Sequence, residues 1–139
     1  LREKFAAEIV ENAIRHWDNQ RYLLHAWVIM PNHVHVLVKP LGNWRLGRLI
    51  QSWKRHTSRE IRKKVGNGAL SCTRLGGEDQ STFWQRDYWD RYIRDENHFH
   101  RVVAYIEENP VKAGLAKSPE AWPWGSARFA VGGIRRFEG

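Results

Sequence analysis

This chain reads as an α+β domain, and three observations predict it. Two β-prone runs, Arg21 to Met30 and His33 to Val38, meet at Pro31-Asn32, which breaks the first and starts the second as its antiparallel partner. Three stretches outside this hairpin carry apolar residues at helical spacing. The 139 residues suffice for one core and not for two, and no repeat divides them, so residues 1–139 are expected to form a single domain.

The first helix rests on Phe5, Ala6, Ile9, Val10, Ala13, Ile14 and Trp17, with Glu3, Glu8, Glu11 and Arg15 between them. Asp18-Asn19 is its stop signal. In the second strand of the hairpin, side chains alternate between faces, so His33 and His35 share one face while Val34, Val36 and Val38 point into a core. Pro40 and Gly42 end that strand. A second helix from about Leu46 to Lys64 places Leu46, Leu49, Ile50, Trp53 and Ile61 along its apolar side. Gly66 to Gln80 holds four glycines and little periodicity, which predicts a mobile loop. Tyr88 to Ile93 reads as a further strand. Asp95 caps a third helix with Phe99, Val102, Val103 and Ile106 at i, i+3, i+4 and i+7. Asn109-Pro110 should end it, since a residue before proline is pushed out of helical geometry, with one more turn closed by Gly114. In the tail, residues 116–139, the indoles of Trp122-Pro123-Trp124 should pack on the body, and Arg135-Arg136 should fray.

Composition is globular, with 42% hydrophobic and 27% charged residues. A net charge of +8 and a pI near 10.1 suit a polyanionic partner, nucleic acid before membrane, although charge alone fits a merely soluble basic surface as well. The basic residues gather on the second helix, where Arg45, Arg48, Lys54, Arg55, Arg59, Arg62, Lys63 and Lys64 meet only Glu60, which favours phosphate contacts over internal ion pairs. A lone cysteine, Cys72, excludes an internal disulfide and fits a reducing compartment. No apolar run reaches the roughly 18 residues of a membrane span, and no signal-peptide pattern appears. A cytoplasmic location is therefore expected.

Candidate chemistry begins at His33-Val34-His35. Two imidazoles on one strand face make half a metal site, two satisfied core histidines, or part of a phosphate-handling histidine motif. The last is disfavoured, because a histidine-triad nucleotide hydrolase needs a third histidine where this chain has Leu37. On the third helix Tyr105 and Asn109 are four apart and share a face. By pattern alone Tyr105 is a half-buried core tyrosine with a wet hydroxyl, and Asn109 a helix-ending residue. His98 and His100 diverge on a helix and are poor co-ligands.

Two segments decide among these readings. Trp27-Val28-Ile29-Met30-Pro31-Asn32-His33-Val34-His35 and Tyr105-Ile106-Glu107-Glu108-Asn109-Pro110-Val111-Lys112-Ala113-Gly114-Leu115 together resemble the REP-associated tyrosine transposases, of the single-tyrosine HUH transposase superfamily. Trp84-Gln85-Arg86-Asp87-Tyr88-Trp89-Asp90, Ile93-Arg94 and Trp122-Pro123-Trp124-Gly125-Ser126-Ala127 are similar to further segments of that family, in the same order.

The resemblance implies a ferredoxin-like antiparallel sheet with helices packed on one face and the His-x-His on a central strand. It also implies a strand before the first helix, and the chain opens almost directly into that helix. Either that strand lies upstream of Leu1 or the sheet lacks an edge, which leaves the neighbouring strand exposed. By the same resemblance His33, His35 and Asn109 hold a divalent ion, Mg²⁺ or Mn²⁺, and Tyr105 is the nucleophile of a single-stranded DNA endonuclease and strand transferase acting on hairpin DNA. Arg45, Arg48, Lys54, Arg55, Arg59, Arg101 and Lys112 are the expected DNA contacts, with Trp44, Trp89 or Tyr92 as stacking surfaces. A monomer or a homodimer, associated with the nucleoid, would suit this activity. The alternatives are a hairpin-binding protein of the same ancestry that does not cut, and a histidine-based nucleotide phosphohydrolase.

Overall fold

The computed structural model describes residues 4–65 and 93–129. Helix α1 spans Lys4–His16, strand β1 Tyr22–Ile29, strand β2 Val34–Pro40, helix α2 Leu46–Val65 and helix α3 Glu96–Lys112. Two short 3-10 turns, Pro119–Ala121 and Ser126–Phe129, follow. The expected loop at 66–80 with Cys72, the strand expected at Tyr88 to Ile93 apart from its last residue, and Arg135-Arg136 lie outside the described residues.

β1 and β2 pair antiparallel, from Tyr22 opposite Pro40 to Ile29 opposite Val34. Met30 N–H donates to His33 O at 2.8 Å, so Pro31-Asn32 is a two-residue turn. The register slips between Leu24 and Ala26, which makes His25 an extra residue on β1. A one-residue slip turns every later side chain to the other face. Tyr22 and Leu24 therefore face α1 and α2, whereas Ala26, Val28 and Met30 face α3.

The α+β class and the antiparallel hairpin are as expected, but the helices are not confined to one face. Trp27 and Ile29 pack with Ala7, Val10 and Ile14 of α1, together with Val34, Val36 and Trp53. Ala26, Val28, Met30 and Leu37 pack instead with Phe99 and Ile106 of α3. The physical reason is that both alternating sets on β1 are apolar, so a single helical layer would leave one set in water. Helix α2 lies against α1, and its Trp53 Nε1 donates to the fully buried Tyr22 hydroxyl at 3.2 Å.

Asp95 caps α3 as expected, accepting from His98 N at 2.8 Å. Asn109-Pro110 does not end the helix, which continues through Pro110 to Lys112. Near a C-terminus proline keeps its carbonyl as an acceptor, and Pro110 O takes Leu115 N at 2.8 Å, while Gly114 supplies the positive φ of 74°.

Residues 122–129 run back along the edge of β1 that faces away from β2. Trp124 O accepts Ile29 N at 2.8 Å, Gly125 bridges Val28, and Ser126 Oγ accepts Trp27 N at 3.0 Å. From Trp27 to Ile29 this edge of β1 is thus covered rather than exposed. Trp122 and Trp124 pack on the two opposite core clusters. Beyond them, Arg128 makes a two-pronged ion pair with Glu11, a carboxylate 4% exposed that also accepts Trp27 Nε1 at 3.2 Å. Among the described residues no helix is long and apolar enough to cross a membrane.

Candidate active site and nucleic-acid interface

His35 sits opposite Val28 on the face of β2 that meets α3. His33, at the end of the turn, lies on the same side, and the two rings stand edge-on with centroids 4.7 Å apart. Burial, and then the neighbouring His33, hold the His35 pKa below the ordinary imidazole value. Its neutral form, the one that can coordinate a metal, therefore prevails at neutral pH. Asn32 Oδ1 lies 2.6 Å from His33 Nδ1. An amide oxygen only accepts, so this contact favours the ring form with a proton on Nδ1, which leaves Nε2 as the nitrogen available to a metal.

Helix α3 crosses this face with Phe99 and Ile106 in the core. Tyr105, one step from Ile106, comes out at the rim and is 52% exposed. The half-buried core tyrosine expected from pattern alone is not what forms, because Ile106 takes the inward position. The Tyr105 ring instead stands edge-on to His35, centroids 5.7 Å apart. One turn further, Asn109 Nδ2 reaches Tyr105 O at 3.5 Å, which leaves its amide oxygen uncommitted to that contact. His33, His35 and Tyr105 are brought together by three elements: the turn, β2 and α3.

Two imidazoles side by side at the start of β2, facing the helix that carries Asn109 one turn beyond Tyr105, are a donor set of the kind that suits a divalent cation completed by water and phosphate oxygens. Among the described residues no group of three or more His, Cys, Asp or Glu side chains forms a metal cage, so the amide of Asn109 and solvent would have to supply the oxygens. His98 Nδ1 accepts Arg94 N at 3.1 Å and His100 lies 3.6 Å from Glu96, so both serve α3 itself. Leu37, in the place of a third histidine, is 8% exposed within the core.

The expected DNA-contact residues separate into two groups. Arg101 and Lys112 are exposed on α3, and Lys112 Nζ lies 5.5 Å from the Tyr105 ring centroid. Arg45, Arg48, Arg55 and Arg59 are exposed at or along α2 with Lys54 half-buried, on the side of the hairpin opposite α3. Trp44 is 37% exposed, with the Arg21 guanidinium 4.3 Å from its ring centroid and 3.9 Å from that of Trp17. Trp89 and Tyr92 lie outside the described residues. Sequence reasoning missed Asn32, read only as a turn residue, although an Asn directly before a candidate ligand is a usable signal.

Residues 2–109 match the family model described as "Transposase IS200 like", and the chain belongs to that family. It is similar to the REP-associated tyrosine transposase of Escherichia coli strain K12, 29% identical over 101 residues, covering 73% of this chain and 52% of the relative. An uncharacterized protein of Haemophilus influenzae is 31% identical over 110 residues, covering 68% of this chain and 61% of the relative. The chain thus spans about half to three fifths of the length of these curated relatives. The fold is that of a solved REP-associated tyrosine transposase bound to a REP hairpin, with a TM-score of 0.70 at 22% identity over 98% of this chain and 75% of that one. That likeness supports reading the hairpin of β1 and β2 as part of a ferredoxin-like sheet.

Proposed function

We propose that this protein is a metal-dependent single-stranded DNA endonuclease and strand transferase that acts on hairpin DNA through a 5′-phosphotyrosine. The observation that carries the reading is the Tyr105 ring, exposed at the rim and edge-on to His35, with His33 beside it. The solved relative's REP hairpin favours hairpin DNA as the substrate class. Tyr105 Oη attacks the phosphorus, the bond to O3′ breaks, and the strand leaves with a free 3′-OH. Attack by a 3′-OH on the phosphotyrosine reverses these bonds, so rejoining needs no external energy source. Phenols ionise near pH 10 and are weak nucleophiles at neutral pH, so charge compensation at the phosphate matters. A divalent ion, Mg²⁺ or Mn²⁺, held by His33, His35 and Asn109 would supply Lewis-acid stabilisation of the attacked phosphoryl group. His35, neutral and half-buried, and His33, oriented by Asn32, present the nitrogens; Lys112 and Arg101 offer positive charge beside the nucleophile. The cations of α2 would engage a more distant part of the DNA.

Incubation with a labelled hairpin oligonucleotide and Mn²⁺ should give a denaturation-resistant protein–DNA adduct that Tyr105→Phe abolishes. Equal adduct from Tyr105→Phe would remove Tyr105 from its role. Salt-sensitive binding without adduct under any metal would instead mark a hairpin-binding protein that does not cut.

A further inference from the structure

The Trp122–Ala127 segment was singled out by resemblance, yet the proposed chemistry gives it no task. Its Ser126 is fully buried, 0% exposed, at the junction of β1, α3 and the tail. Ser126 Oγ accepts Trp27 N–H at 3.0 Å and lies 2.8 Å from Glu107 Oε1 and 3.2 Å from Trp27 O. A hydroxyl has one proton to give, and the carboxylate is the nearer and stronger acceptor. The resulting chain, β1 backbone to Ser126 to Glu107, ties the helix that carries Tyr105 to the strand opposite the histidines.

Helical geometry gives that tie a specific consequence. At about 100° per residue, Tyr105 and Glu107 leave α3 on opposite flanks of Ile106, which faces the core at 4% exposure. Contact beneath Ile106 is apolar and non-directional, so it resists separation of α3 from the sheet more than roll about the helix axis. The hydrogen bonds at Ser126 are directional and act on the flank away from Tyr105. A side chain at the edge of a helix about 12 Å across rides roughly 6 Å from the axis, so a roll of about 10° moves its tip by about 1 Å. A misplacement of about 1 Å in a reacting group can cost roughly a hundredfold in rate.

We infer that Glu107 and Ser126 are positioning residues: together they set the roll of α3 and with it the placement of Tyr105 over His35. This rests on Tyr105 being the nucleophile, and the test separates the two claims. Ser126→Ala, Glu107→Ala and Glu107→Gln are compared with the parent for thermal melting, metal-free hairpin binding by anisotropy, single-turnover adduct formation with Mn²⁺, and NMR contacts between the Tyr105 and His35 rings. Ser126→Ala tests the buried member, and Glu107→Ala, on a half-exposed helix position, keeps the test available if Ser126→Ala does not fold. The expected result is a folded protein with hairpin affinity within about twofold of the parent, adduct formation at least about tenfold slower, and weakened Tyr105–His35 contacts. Glu107→Gln keeps an oxygen that accepts the Ser126 proton and should restore the rate to within about threefold. Ring contacts like the parent's in the alanine variants, weakened contacts with a parental rate, or Glu107→Gln as slow as Glu107→Ala would each overturn the assignment. If the parent itself forms no adduct, the proposed function fails, and the NMR contacts alone still judge the positioning claim.

Discussion

Replacing Asn32 by alanine is the sharpest probe of the proposed metal site, because it leaves both histidines in place. Asn32 Oδ1 holds His33 Nδ1 at 2.6 Å, and both side chains are exposed, so solvent competes for the bond. A hydrogen bond of this kind contributes about 1 kcal/mol net, about fivefold in an equilibrium constant. Losing it also frees the His33 ring to rotate and to move its proton to Nε2, the nitrogen that would face the ion in the proposed site. Together these effects should weaken Mn²⁺ binding about tenfold, the lower end of what is lost when a residue orienting a metal ligand is removed. Titration calorimetry of the parent, Asn32→Ala and Asn32→Asp measures this directly, with Asn43→Ala as an exposed control. Asn32→Asp keeps an acceptor for Nδ1 and should bind Mn²⁺ at least as tightly as the parent. Nitrogen-edited NMR of the metal-free parent should show His33 as the Nδ1–H tautomer. An Asn32→Ala affinity within about twofold of the parent, or the opposite tautomer in the parent, would refute the reasoning.

Two further predictions concern stability. Arg128→Ala leaves the Glu11 carboxylate, 4% exposed, with Trp27 Nε1 at 3.2 Å and Arg15 at 3.8 Å as its remaining partners among the described residues. Breaking a buried pair costs about 3–5 kcal/mol, and the remaining partners lower that to about 2–3 kcal/mol, or roughly 8–10 °C in Tm; a shift below about 2 °C would refute it. Burial pushes the Tyr22 hydroxyl above its usual pKa, so the folded state keeps this proton when the unfolded chain, with its phenol near 10, has begun to lose it. Its contribution is complete below about pH 10 and is lost as pH rises from there through the folded pKa, so denaturant titrations should show the parent falling more steeply above that pH than Tyr22→Phe.

Period-two alternation put His33 and His35 on one side of the second strand, and i to i+4 spacing put Tyr105 and Asn109 on one side of α3. Both are local rules: α3 obeys the second, and His33, in the turn just before β2, still lies beside His35. The same local rules misjudged Pro110, because the penalty of proline falls on the preceding turn and the final turn absorbs it. They also gave no hint of the bulge at His25, which decides which residues of β1 meet α1 and which meet α3.

The sequence by itself therefore determined the three helices and the hairpin of the described residues, and the family to which the chain is similar. Tertiary structure alone decided which faces meet. It set Tyr105 at the rim beside His35, put the basic α2 on the far side of the hairpin, and joined Arg128 to Glu11 and Ser126 to Trp27 across 117 and 99 residues. Periodicity is a property of a short window, whereas those contacts depend on how buried surfaces and directional hydrogen bonds are satisfied together across the whole fold.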